Sequence, residues 1–356
     1  MDTQHADDYL WALTKQIVQT TPVAIDTVYF GGGTPSLFGT SRIAVLLDVI
    51  ANHFILAPNA EITLEANPES ITPSTLIAWK HSGINRLSVG VQSLDEAALQ
   101  WLGRMHTAKQ AYQAVQQASQ AGFDNINIDL LYGLPLQSIK HWQQTLESVT
   151  TWPIQHISSY GLKLELNTPL HKTGQTATDD EFAEQYCLMT ELLPVHGFGQ
   201  YEISNFARNG YEARHNMKYW QLQPYIGVGA SAHGDFDGLR TAVVCDIRAY
   251  IHAMQTGGNI YTQQQTVTQR ERAEEYLMLG LRTTHGVCRE EYEKYLPRDA
   301  GAAIGCPQGS PFQKLASYQA HGLTDYVNLK GSGCKRWRLT PQGMLISNTL
   351  IGELLT

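Results

Sequence analysis

The sequence predicts an α/β protein, a partial barrel of six βα units followed by a small winged-helix-like domain. Short strand-like apolar runs alternate with segments of helical period from near the N-terminus to about residue 204, which is the pattern of a parallel sheet built by crossover helices. From about Thr268 the rhythm changes to helix, helix and short strands. The length, 356 residues, accommodates one large α/β unit with a smaller appendage. We therefore divide the chain into a barrel over 1–235, a connecting segment over 236–267 and a C-terminal domain over 268–356.

Six strands are predicted, at 27–30, 61–66, 86–92, 125–132, 157–164 and 201–204. The helices between and after them fall at 42–53, 73–82, 95–102, 108–120, 139–150 and 179–193. One helix, over 7–20, precedes the first strand. Thr72 before Pro73 is a good start signal, because a threonine oxygen can accept the free amides of a first turn and proline suits its first position. In the C-terminal part, ERAEEYLMLGLR and PFQKLASYQAHG read as helices and the rest as short strands, LTDYVNLK and then a closing WRLTPQGMLISNTLIGELL. A winged helix can bind DNA, but the basic cluster Lys335, Arg336, Arg338 is small and the formal net charge is −8, so no nucleic-acid partner is expected.

No apolar run approaches bilayer length, and the N-terminus MDTQHADDYL is polar and acidic. The expectation is a soluble, cytoplasmic protein. The five cysteines, Cys187, Cys245, Cys288, Cys306 and Cys334, form no CxxC or CxxxCxxC group, which fits reduced thiols and argues against a disulfide framework or a metal site made from them.

The sharpest local feature is GGGTPS, Gly31 to Ser36, directly after the first predicted strand. Consecutive glycines expose backbone amides to an anionic or zwitterionic guest, although a plain βα turn would use the same residues. Glu65, Gln92 and Asp129 end successive strands. In a parallel barrel those ends face one mouth, so three polar side chains can converge on one ligand. Each could instead cap a helix or be satisfied by backbone. Arg104 is the nearest counter-charge, or a surface arginine.

Taken together, YFGGGTPS, LEANPES, NRLSVGVQS, LGRMH, NIDLLYGLP, QYEISNFA, HNMKYW and YIGVGASAH, in this order, resemble the coproporphyrinogen-oxidase-like radical-SAM superfamily and, within it, the heme chaperones. The resemblance runs nearly the length of the chain. It implies a radical-SAM-type partial barrel in which Gly32, Gly33 and Thr34 meet the methionyl end of S-adenosylmethionine, while Glu65, Gln92, Arg104 and Asp129 hold its ribose and methionyl groups. Gly161 and His233 match positions on the adenosine side. HNMKYW separates the chaperones from the oxidases; it makes His215 a candidate heme ligand with Tyr219 and Trp220 as flat contacts, the alternative being that His215 caps or packs.

One departure stands out. Relatives carry a CxxxCxxC loop whose thiolates hold a [4Fe-4S] cluster, whereas this chain opens in what resembles the helix after that loop. Either it is an N-terminal fragment or a degenerate form. The implied function is a heme chaperone that binds heme and S-adenosylmethionine and delivers heme to a membrane-bound respiratory acceptor; a homodimer is compatible with it. Oxygen-independent coproporphyrinogen III oxidase and a non-enzymatic binding module remain as alternatives.

Overall fold

A computed structural model describes residues 3–296 apart from 136, 167, 169 and 175, and residues 310–327 and 335–356. The chain starts with α1 (Thr3–Gln19). Then come β1 (Ala24–Phe30), α2 (Thr40–His53), β2 (Ile55–Ala66), α3 (Pro73–His81), β3 (Arg86–Gln92), α4 (Glu96–Trp101), α5 (Ala108–Gln120), β4 (Ile126–Tyr132), α6 (Ile139–Thr150), β5 (His156–Gly161) and α7 (Asp179–Val195). Several helices begin where the sequence supplies an oxygen cap. Thr72, Thr107 and Thr178 each accept the amide three residues on, and Thr75, Gln110 and Glu181 close a reciprocal capping box.

β1 to β5 pair in parallel and in chain order, forming a sheet that curls into a half barrel. The alternation along each strand sorts its side chains into two faces. One face, with Leu64, Leu87, Val89, Ile126, Ile128 and Ile157, belongs to a core shared with Trp79 of α3 and Trp142 of α6. The opposite, concave face carries Tyr29, Thr63, Glu65, Arg86, Ser88, Asn127, Asp129, His156 and Ser158. A polar interior is a costly use of a barrel, since every such group needs a partner.

The sixth strand departs from expectation. Residues 201–204 form the turn between β6 (Gly199–Gln200) and β7 (Asn205–Ala207), and β7 lies antiparallel between β5 and β6. A connection this short joins only antiparallel neighbours, so the chain doubles back. The polar groups of 201–204 serve other elements: Glu202 bridges to Thr283, and the Tyr201 hydroxyl reaches His156.

After α8 (Arg214–Trp220), the end of the predicted barrel range and the residues expected only to connect build a three-stranded antiparallel sheet of β8 (His233–Phe236), β9 (Leu239–Val243) and β10 (Tyr261–Thr266), with α9 (Ile247–Thr256) between the last two. A second core joins this region to α1 and α2 through Ala12, Ile17, Leu46, Tyr250 and Met254. The remaining elements are α10 (Gln269–Gly280), α11 (Arg289–Tyr295), α12 (Pro311–Gln319), β11 (Thr324–Val327), β12 (Arg336–Leu339), α13 (Pro341–Leu345) and α14 (Ser347–Leu355). The LTDYVNLK strand is β11 as far as Val327; its residues 328–330 lie outside the described residues, as do Cys306 and Cys334.

The C-terminal elements share the barrel's core: Leu277, Leu281, Val287, Trp337 and Met344 are continuous with Met189 and Leu193 of α7. Val287 and Trp337 exchange amide hydrogen bonds of 2.7 Å each. Arg240 and Arg272 both pair with Asp235 and Glu275, tying β8 and β9 to α10. Among the described residues no helix is long and apolar enough to cross a membrane.

Candidate functional site at the barrel mouth

The glycine loop sits against its own strand. An added Cβ at Gly31 would lie 2.4 Å from the Tyr29 ring, so only glycine lets the chain turn here. Gly32 has φ 108°, which also favours glycine. Its amide donates to Glu65 Oε2 (3.2 Å), and the Tyr29 hydroxyl donates to Glu65 Oε1 (2.6 Å). The exposed Gly33 and half-buried Thr34 continue the loop above them.

Glu65 is thus held from two sides, yet burial raises its carboxyl above the usual range and Asp129 raises it further. Asp129 lies on β4. Asn127 Nδ2 donates to Asp129 Oδ1 (2.8 Å) and Ser88 Oγ donates at 3.3 Å, while burial pushes the carboxyl upward. Burial disfavours the charged form of both half-buried carboxylates, Asp129 adds to this at Glu65 and Arg86 eases it at Asp129, and a further cation beside them would relieve the remaining cost. Gln92 ends β3 at φ 66°, a strained angle for a residue with a side chain and one that turns it out of the strand at the mouth.

Behind Asp129 runs a chain of hydrogen bonds. Both hydrogens of the Asn127 amide nitrogen are used, toward Ser88 Oγ (2.7 Å) and Asp129, so its Oδ1 must accept. It receives His156 Nδ1–H (2.6 Å) and the Ser158 hydroxyl (3.1 Å). His156 Nε2 therefore carries the lone pair and accepts from Tyr201 OH (2.7 Å), whose oxygen accepts from the Ala213 amide (3.3 Å). His156 is fully buried, and burial holds its pKa far below the usual histidine value, in keeping with this neutral tautomer.

Ala213 precedes α8, which Glu61 anchors to the barrel by accepting the amides of Arg214 (3.0 Å) and His215 (2.9 Å). The His215 ring stacks on Tyr29 with centroids 5.0 Å apart. Its Nδ1 faces Thr27 Oγ1 (2.9 Å) and its Nε2 the Tyr219 hydroxyl (2.7 Å). Burial lowers its pKa to about 4. His215 and Tyr219 are therefore neighbours, as a four-residue helical spacing requires, and Trp220 ends the same helix half-buried.

The structure brings together Gly32, Glu65 and Asp129, with Gln92 on the same rim. Other predicted residues have different surroundings. His233 opens β8 in the separate sheet and is exposed. Gly161 ends β5 beneath the Phe182 ring of α7, where an added Cβ would sit 2.2 Å from a ring carbon, so packing also favours a glycine here. Arg104 follows α4, partly exposed. The sequence reading missed Tyr29, Arg86, Asn127, His156 and Tyr201. Polar residues at every second position, Arg86 and Ser88, Asn127 and Asp129, His156 and Ser158, were the available signal for a polar inner face.

Glu202, at the β6–β7 turn, is buried with Oε1 lacking a hydrogen-bond partner, and burial raises its pKa from 4.5 to about 7. The folded protein then holds a proton between pH 4.5 and 7 that the unfolded chain releases, so this group's contribution falls as pH rises through that window. Glu202→Gln should match the wild type in stability below pH 4.5 and exceed it by about 3 kcal/mol above pH 7. Urea unfolding at several pH values checks this; a pH-independent difference would show that Glu202 does not titrate there.

Comparison with known proteins places this geometry. Residues 11–149 match the Radical SAM superfamily and residues 267–346 the HemN C-terminal domain. The heme chaperone HemW of Bacillus subtilis is 34% identical over 308 residues, covering 83% of this chain and 81% of that protein. HemW of Escherichia coli K12 is 31% identical over 359 residues, covering 97% and 89%. In structure, the coproporphyrinogen III oxidase HemN from Escherichia coli, a radical SAM enzyme, superposes with a TM-score of 0.82 at 20% identity, covering 100% of this chain and 85% of that one, which shows a shared fold. With a curled parallel sheet, a HemN-type C-terminal domain and HemW relatives matched over most of its length, the chain belongs to the HemW family of radical-SAM proteins.

Proposed function

We propose that this chain is a heme chaperone that binds heme through α8 and S-adenosylmethionine at the barrel mouth, and hands heme to a membrane-bound respiratory acceptor. The observation that carries this is the extent of identity to HemW proteins, which spans the barrel, α8 and the C-terminal domain. The chemistry of the residues supports it. Glu65 and Asp129 suit a sulfonium or ammonium cation, the Gly32–Gly33 loop suits a carboxylate, and both occur in S-adenosylmethionine. A pKa of about 4 keeps His215 unprotonated at neutral pH, as an iron ligand must be. Thr27 would keep hold of Nδ1 and so orient the ring, while Nε2 exchanged the Tyr219 hydroxyl for iron.

The family's [4Fe-4S] cluster does not fit the residues of this chain. No CxxxCxxC is present, Cys187, Cys245 and Cys288 differ in place and burial, and the described residues contain no grouping of three His, Cys, Asp or Glu side chains able to hold a metal.

Heme titration of the wild type and of His215→Ala tests the proposal. The wild type should show a saturable, shifted Soret band, and the variant only weak apolar association without that shift. An anaerobic assay with coproporphyrinogen III runs beside it. Identical heme spectra for the two proteins, or turnover of coproporphyrinogen, would overturn the chaperone reading.

A further inference from the structure

We infer that the base of the barrel lumen is a carboxylate-binding subsite built around the Arg86 guanidinium. Arg86 opens β3 at the end of the strand away from the mouth, and its side chain is 2% exposed. Its Nε has no hydrogen-bond partner, and no ion pair or hydrogen bond to its guanidinium occurs among the described residues. The other buried arginine among the described residues is treated differently: Arg336, 3% exposed, is forked onto Glu291. A buried cation left without a fork partner is unfavourable unless something negative arrives.

The surroundings say what that is. Thr63 stands beside Arg86 in the strand register, and its hydroxyl is likewise buried and unpartnered. A guanidinium edge offers donors only, and the hydroxyl can add one more. The charge of Arg86 is felt by Tyr29, Asp129, His156, Tyr201 and His215, so it faces the polar lumen and not the helical layer. Glu65 and Asp129 above it disfavour a dianion. A carboxylate has one charge and two coplanar oxygens, which match the guanidinium fork. This inference does not depend on heme binding through His215, because the propionate titration reads carboxylate binding and the Soret band reads iron ligation.

The probe is sodium propionate, titrated at constant ionic strength into this chain, with propionamide as its neutral counterpart and the thermal midpoint as the readout. The wild type should show a saturable rise with propionate and none with propionamide. Arg86→Met should lose that rise, and its ligand-free midpoint should exceed the wild type's, because an unpaired buried charge has been removed. Arg86→Lys should respond with about tenfold weaker affinity, as the fork is lost and the charge kept; this variant decides the matter if Arg86→Met does not fold. Protoporphyrin IX and its dimethyl ester, each added as competitor, identify the source: competition by the free acid alone assigns the subsite to a porphyrin propionate, and competition by neither assigns it to a small free carboxylic acid. An equal propionate response in wild type and variants, or no saturable response in the wild type, would overturn the subsite. Neither result bears on the Soret assay, so the two proposals fail separately.

Discussion

Gly286→Ala should destabilise the protein by about 3–5 kcal/mol, combining backbone strain with overpacking against a wall that cannot yield. Gly286 has φ 68°, where a side chain is strained, and an added Cβ would lie 2.1 Å from the Trp337 carbonyl oxygen and 2.7 Å from its carbon. Those atoms are backbone, and they belong to the bridge in which Val287 and Trp337 exchange hydrogen bonds. Gly286 also accepts from Arg336 Nη2 (3.1 Å) and donates to Thr283 Oγ1 (3.2 Å). Thr283 in turn bridges to Glu202 at the end of the barrel sheet. The substitution therefore strikes the seam between barrel and C-terminal elements. Thermal and urea unfolding measure the loss; a variant within 1 kcal/mol of the wild type, a usual surface-substitution effect, would mean that the seam opens at little cost.

Asp129→Ala should weaken S-adenosylmethionine binding roughly ten- to hundredfold, the loss of one charge-assisted hydrogen bond of about 1.5–3 kcal/mol. Glu65→Ala should act in the same direction. The expectation rests on the position of both carboxylates at one mouth and on the raised pKa each acquires from burial, which an incoming cation relieves. Removing Asp129 also frees one hydrogen of the Asn127 amide and one hydroxyl bond of Ser88, leaving the Asn127–His156–Tyr201 chain with a loose end. Calorimetric titration reads the affinity directly. Unchanged affinity in both variants would assign these carboxylates to the fold and not to the ligand.

Much of this architecture is legible in the sequence for local reasons. Parallel strands separated by capped helices announce themselves through the change of period, and Thr72, Thr107 and Thr178 mark helix starts because a cap is satisfied within three residues. The glycine loop and the residues Glu65, Gln92 and Asp129 were visible as motifs, since their spacing is set by one strand each, although Asp129 sits in the middle of β4 and not at its end.

What the sequence did not determine depends on contacts between residues far apart in the chain. The sixth strand was misplaced because the pairing of β7 with β5 is decided by a hairpin and not by the composition of 201–204. The connecting segment forms a sheet because β8, β9 and β10 find one another and a core against α1 and α2. Asp129 looked like a lone strand-end acid; only the fold threads Asn127, His156 and Tyr201 behind it. The local sequence thus determined the periods, caps and turns, whose energies lie within a few residues. Tertiary structure alone decided which polar side chains share the barrel interior, because a buried charge such as Arg86 is favourable or costly according to partners that the linear spacing does not reveal.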